Sequence, residues 1–536
     1  MFKKALKKTL SLVLAAILVF STGSIAFAGG TETDTADLPI ITVFGFTGRV
    51  SGNDGQAFNL YEAFGSLFEG ENLDTLLNTL KTGYLTGDWA PFTDAVCEPL
   101  KKSFENGICD ENGNPIGESG APLDSWNNDV SPDFVNINSK QSDYRYGEYP
   151  FYIDWRIDPM ASAELLNQYI EAVCAATGKE QVYILGRCLG ASVIVSYISK
   201  YGSSRIADMG FYIPAVEGID LFGALFAGKI DFTDADAIDR FADYFIKNGD
   251  LIADSDTREL VTNLVSVVNK IKVLGLAAHI VQGAFEKMRE ELIPRVIMDT
   301  IGTYPAFWSM VGLEYFDEAV NLIFGEEGSE NRIKYAGIYE NVTAYNDSIK
   351  KNVRPILESF RAEGKRVFVI AKYNTPLYPI YEGCEKAGDG VCALEDISFG
   401  AAGGAYGQAL SAGYLENKNA EYISPDKMID ASAGMFPDTT WFIKNCEHGD
   451  YPTNINPFLN YIFSDTDIKA TDNNAQWPQW LDYEKETRTI VPLDTESEDL
   501  HNTWNNNAIR VFIDFIKNMF KLFVKLIKGE ISFNKA

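Results

Sequence analysis

The stretch Gln181–Tyr201 constrains this chain more than any other. Val182–Leu185 is a short apolar run, β-branched and aromatic, of the kind that forms a buried strand. From Ala191 onward Val193, Ile194, Tyr197 and Ile198 recur at helical spacing, and the run stops at Gly202. Between them lies Gly186-Arg-Cys-Leu-Gly190, with a glycine at each shoulder of Cys188. A strand-to-helix turn this sharp brings backbones too close for side chains. It holds one side chain in a strained position over the positive end of a helix. The spacing therefore predicts a nucleophile elbow built on Cys188. A buried structural cysteine in an ordinary strand–helix turn is the competing reading.

Composition narrows the setting. Met1–Ala28 reads as a secretory signal: Lys3, Lys4, Lys7 and Lys8, then an apolar stretch from Leu12 to Phe20, then Ala26-Phe-Ala28 as a small-residue cleavage site. The apolar run is short for a membrane span, so the expected location is secreted, with cell-surface association open. The remainder is long enough for one large domain with insertions, or two. A net charge of −29 opposes binding to nucleic acid. Seven cysteines are too sparse for a disulfide scaffold, and their odd number leaves one thiol over, read as Cys188. Without Cys-x-x-Cys spacing and with three histidines, no metal site is expected, and no cofactor.

The Gly-x-Cys-x-Gly elbow resembles that of the α/β-hydrolase superfamily, and within it the dienelactone hydrolases and polyester synthases, which use cysteine. Two further stretches carry the resemblance. Leu38–Phe44 is a buried-strand pattern running into Gly45-Phe-Thr-Gly48. In lipases of this superfamily the equivalent strand ends in His-Gly, and the loop's amides form half of the oxyanion hole. Here Phe44 replaces the histidine. The resemblance implies backbone donors at Leu189 and Phe46, with Thr47 the alternative register for Phe46. Tyr149-Pro-Phe-Tyr-Ile-Asp-Trp-Arg156, followed by Asp158-Pro159 and a helix over 161–175, resembles lipases of the lecithin:cholesterol acyltransferase kind. Asp154 and Arg156 are read there as a structural pair at the strand end.

The acid and base are sought downstream. Ala387-Gly-Asp-Gly-Val-Cys392 resembles the Gly-Asp-Gly-x-Val loop that carries the acid in many lipases, with Val391 one position early; it nominates Asp389, with Asp396 and Asp430 as rivals. Cys384 and Cys392 flank Asp389 closely enough to bridge. Of the three histidines, His279 lies in an apolar helical run and is read as packing, and His501 lies in an asparagine-rich stretch. His448 follows the strand-like Trp441–Lys444 and precedes the helix-like Phe458–Phe463, which makes it the base. Cys188, Asp389, His448 is the nucleophile–acid–base order of α/β hydrolases.

The expected fold class is α/β, an α/β-hydrolase fold with a mainly parallel sheet. Its core spans 37–217 and 363–465, with an insertion over 50–140 and a helical cap over 218–362. A polar linker over 466–508 leads to an amphipathic helix over 509–528. There Arg510, Asp514, Lys517, Lys521, Lys525 and Lys528 fall on one stripe of an otherwise apolar helix, which suits a membrane or envelope surface. The expected function is hydrolysis of carboxylic esters, lipid esters among them, through a Cys188–His448–Asp389 triad. An acyltransferase using the same cysteine, or an inactive binding or envelope protein of the same fold, are the alternatives.

Overall fold

The computed structural model describes residues 38–494 apart from 47–48, 69, 118–144, 235, 239, 242–243, 245–272 and 473. Eight strands form one sheet: β1 (Ile40–Phe44), β2 (Tyr149–Tyr152), β3 (Val182–Arg187), β4 (Ile206–Tyr212), β5 (Val367–Tyr373), β6 (Thr440–Lys444), β7 (Trp480–Glu484) and β8 (Thr489–Pro492). Their order across the sheet is β8-β7-β6-β5-β4-β3-β1-β2. Every neighbouring pair is parallel except β7 with β8. The class is therefore α/β, consistent with the α/β-hydrolase-like fold expected from the elbow.

Central strands of such a sheet are covered on both faces, so their sequences run apolar without alternation. All of β1 and all of β5 are buried. Alternation shows instead in what each side chain meets. Gly186 faces helix α1 (Gly190–Tyr201), and a methyl group there would lie 2.8 Å from Ile194 Cδ1. Tyr183, on the opposite face, stacks on Phe463 of helix α2 (Ile455–Ser464), ring centroids 5.2 Å apart. The helix Pro159–Thr177 begins with Pro159 in its first turn and Asp158 as cap, accepting from the Met160 amide at 2.9 Å. It packs beside α1.

Between β4 and β5 the described residues hold helices, among them Asp220–Phe226, Val273–Met298, Leu313–Phe324, Ala336–Ser348 and Val353–Ala362. One expectation fails. The segment read as a polar linker carries β7 and β8, which extend the sheet beyond β6. Trp480 stacks on Phe442 at 5.0 Å, so apolar residues scattered among polar ones are what fix this edge. The stretches 1–28, 495–508 and 509–528 lie outside the described residues.

Among the described residues no helix is long and apolar enough to cross a membrane. At the end of the sheet away from the elbow, Asp208 and Arg366 form a buried ion pair. The same guanidinium donates to the carbonyls of Ile462 (2.8 Å), Asp465 (3.1 Å) and Ile468 (2.9 Å). Such a pair is stable only because every charged donor is satisfied.

Candidate active site

Cys188 stands between β3 and α1 with φ of +50°, the left-handed region that side-chain-bearing residues seldom enter. Its peptide group is held by the end of β4. Its N–H donates to Tyr212 O at 3.1 Å, and its carbonyl accepts from Ala215 N at 3.2 Å and Ala191 N at 3.0 Å. The glycines on either side are sterically required. A methyl on Gly190 would lie 2.2 Å from Val43 O, and one on Gly186 would lie 2.9 Å from Ala191 Cα. Cys188 is thus raised at the head of a helix in the strained geometry expected of an elbow.

The loop after β1 approaches the elbow just as closely. A methyl on Gly45 would lie 2.8 Å from both Arg187 O and Leu189 N. This sets the backbone just before Phe46 against the Leu189 amide. The Phe46 ring is fixed by Trp155 (centroids 4.8 Å apart) and Phe307 (6.0 Å). Trp155 is wholly buried, and its neighbours Asp154 and Arg156 form a two-pronged ion pair, Nη2–Oδ2 2.7 Å and Nε–Oδ1 3.0 Å. Asp-Trp-Arg therefore serves as a brace under the loop, as the sequence suggested. Phe44 stacks on Tyr152 at 4.8 Å and meets Tyr146 edge-on at 5.2 Å. Thr47 lies outside the described residues.

Asp389 and His448 meet. Both are buried, and His448 Nδ1 lies 2.6 Å from Asp389 Oδ2. The other carboxylate oxygen accepts from the amides of Val391 (3.0 Å) and Cys392 (2.8 Å). The two loops are also tied by their backbones, His448 N donating to Asp389 O at 2.7 Å. Burial alone would raise the Asp389 carboxyl, but His448 and the two amides outweigh it and hold it below the usual carboxylate range. Burial opposes the charged imidazole, yet Asp389 and Cys188 lift His448 to about 9. Cys188 is among the neighbours that act on the His448 imidazole. Since Nδ1 is engaged by Asp389, Nε2 is the nitrogen left to face the thiol.

The other candidates lie elsewhere. Asp430 is bound by Lys418 Nζ at 3.0 Å and caps Ser432. Burial and the Asp220 carboxylate push the Asp396 carboxyl well above the usual carboxylate range. His279 is exposed on the helix Val273–Met298, so it does not pack as expected: that helix turns this residue outward despite its apolar neighbours. His501 lies outside the described residues. Cys384 and Cys392 do not bridge, and all seven cysteines are free thiols. Cys392 instead places its sulfur 3.8 Å from His448 Nδ1, where burial and Asp389 push its thiol far above the ordinary range.

Two features escaped the sequence reading. Lys372, wholly buried in β5, donates to the carbonyls of Glu447 (2.8 Å), His448 (3.2 Å) and Asp450 (2.8 Å), pinning the histidine loop. Its signal was a lysine inside the apolar run Val367–Tyr373, since a buried ammonium demands partners. The second is Arg187 with its ring of tyrosines, described below. As to metals, Asp389, Cys392 and His448 present ligand atoms within 4.8 Å of one another. However, the 2.6 Å hydrogen bond between two of them is shorter than the roughly 3.3 Å that separates ligands around a tetrahedral zinc.

No protein-family model matches the chain, and no curated protein does. A solved structure, the crystal structure of the Tle4–Tli4 complex, aligns with 63% of this chain and 75% of its own at 13% identity, with a TM-score of 0.23.

Proposed function

We propose that this chain is a secreted carboxylic-ester hydrolase of the α/β-hydrolase superfamily, working through Cys188, His448 and Asp389. The observation that carries the reading is the strained Cys188 facing a histidine whose Nδ1 is held by a buried carboxylate at 2.6 Å. His448 takes the thiol proton, and Asp389 and the Cys188 sulfur together favour the imidazolium that results. The sulfur attacks the ester carbonyl while the amides of Leu189 and Phe46 hold the oxyanion. Collapse breaks the C–O bond, His448 protonates the departing alkoxide, and a thioester remains on Cys188. Water, deprotonated by His448, then cleaves the thioester and releases the acid. Asp389 holds the ring in the productive tautomer throughout and stabilises the imidazolium.

The helices of 218–362 serve in this reading as a cap over the site, and the C-terminal stripe as a contact to an envelope surface. Acyl transfer to an alcohol or amine is the second reading, favoured by the reactivity of a thioester toward nucleophiles other than water. The test is alkylation with a small thiol reagent. Loss of ester hydrolysis should track modification of Cys188 one for one. Full activity in Cys188→Ala defeats the proposal, and a transfer product that exceeds free acid when an alcohol is present selects the second reading.

A further inference from the structure

Arg187 is the last residue of β3 and immediately precedes Cys188. Its guanidinium enters an aromatic enclosure made by Tyr146, Tyr212 and Tyr451, which are 0%, 1% and 5% exposed. The guanidinium carbon lies 6.0 Å from the Tyr212 ring centroid. Tyr146 in turn is 5.2 Å from Tyr451 and 6.4 Å from Tyr212. All three phenol oxygens are buried without a hydrogen-bond partner. The Tyr146 hydroxyl lies beside the guanidinium but makes no hydrogen bond of usable geometry with it. Among the described residues no carboxylate pairs with Arg187. Lys372, whose ammonium lies 5.1 Å from the Tyr212 ring, spends its donors on the loop carbonyls.

Buried polar groups are ordinarily satisfied, and the three phenol oxygens are not; a guanidinium partly shielded from water, as Arg187 is, favours an anion beside it. Here one fork of N–H donors and three O–H donors share an enclosure. Together they offer several donors at once and call for a ligand with several lone pairs, which is what a carboxylate or phosphate is. The enclosure belongs to the active site on both sides: Arg187 adjoins the nucleophile, and Tyr451 follows His448 by three residues. Phe44, through its edge contact with Tyr146, forms part of the wall.

We infer that Arg187, Tyr146, Tyr212 and Tyr451 form an oxyanion-binding subsite beside Cys188, and that the ester cleaved here carries a carboxylate or phosphate group. This rests on the hydrolase reading for the word ester, but the subsite itself can be tested without turnover. Titration calorimetry of the full-length protein with glutarate and, separately, inorganic phosphate reads binding directly. At least one of the two should bind. Arg187→Met should weaken that binding at least tenfold, and Tyr451→Phe severalfold. Should Arg187→Met fail to fold, Tyr146→Phe and Tyr451→Phe delete only a hydroxyl and keep the ring, and their combination should give the tenfold loss. Tighter glutarate binding assigns the anion to a carboxylated acyl chain, and tighter phosphate binding to a phosphorylated one or to a phosphate headgroup. Failure of both anions to bind, or binding unchanged in the variants, overturns the subsite and leaves the assignment of Cys188 standing.

Discussion

Lys372→Met is the perturbation that most sharply separates a site held together by design from one assembled by chance. The side chain is wholly buried and donates to three carbonyls of the histidine loop, at 2.8, 3.2 and 2.8 Å. A hydrogen bond to a charged group contributes about 1.5–3 kcal/mol net, and an acceptor left buried without a donor costs about 1–3 kcal/mol. Methionine fills most of the volume but donates nothing. With some relaxation of the loop, the expected loss of stability is about 3–5 kcal/mol, read as a shift in the urea midpoint at unchanged slope. Displacement of His448 by an ångström costs on the order of 100-fold in rate. Under conditions where the variant remains folded, kcat should therefore drop roughly 30- to 100-fold while KM moves little. A folded Lys372→Met variant with kcat within about twofold of the wild type would show that the loop is held by other means, and the reasoning fails.

Three further outcomes are expected. Asp389→Asn should lower kcat on the order of 10³-fold, while Asp396→Asn and Asp430→Asn leave it nearly intact; steady-state kinetics that reverse this ranking move the acid elsewhere. His448 keeps its proton to about pH 9 in the folded protein, against about 6.5 unfolded. The native state thus binds the extra proton across that window, so stability falls as pH rises from 6.5 to 9, by up to roughly 3 kcal/mol. Denaturant titrations should show this slope, and Asp389→Asn should flatten it; an unchanged slope in the variant contradicts the pairing. Deleting 505–536 should release the protein from anionic vesicles and leave hydrolysis of a short soluble ester within about twofold. Loss of solubility or of that activity on truncation would make the tail part of the fold.

The elements most legible in the sequence were those with a steric reason to be there. Gly186 and Gly190 are demanded by backbone atoms within 3 Å of where a side chain would begin, so the elbow announced itself. Pro159 after Asp158 marked a helix start for the same local reason. The pairing of Asp389 with His448 was reached through chain order and loop glycines, across 59 residues of separation. What stayed hidden depends on contacts between distant segments. Arg187 reads as an incidental residue inside the elbow until Tyr146, Tyr212 and Tyr451 are seen around it. The strand pair at 480–492 is hidden among polar residues because a strand at the sheet's edge needs apolar anchors on one face alone, here Leu481, Tyr483 and Ile490. Closeness along the chain to Cys384 suggests a bridge for Cys392. Its place is instead set by Asp389, which takes the Cys392 amide at 2.8 Å and brings the sulfur toward the imidazole.

The central claim is that Cys188 is the nucleophile, and the most direct measurement is to trap the acyl-enzyme. The protein is mixed with an activated ester, quenched in acid within a turnover, digested and mapped by mass spectrometry. The account predicts one acyl group, labile to hydroxylamine as a thioester is, on the peptide that contains Cys188, absent in Cys188→Ala and accumulating more slowly in His448→Gln. An acyl group on Cys392 or on a serine, or undiminished ester turnover in Cys188→Ala, would contradict it.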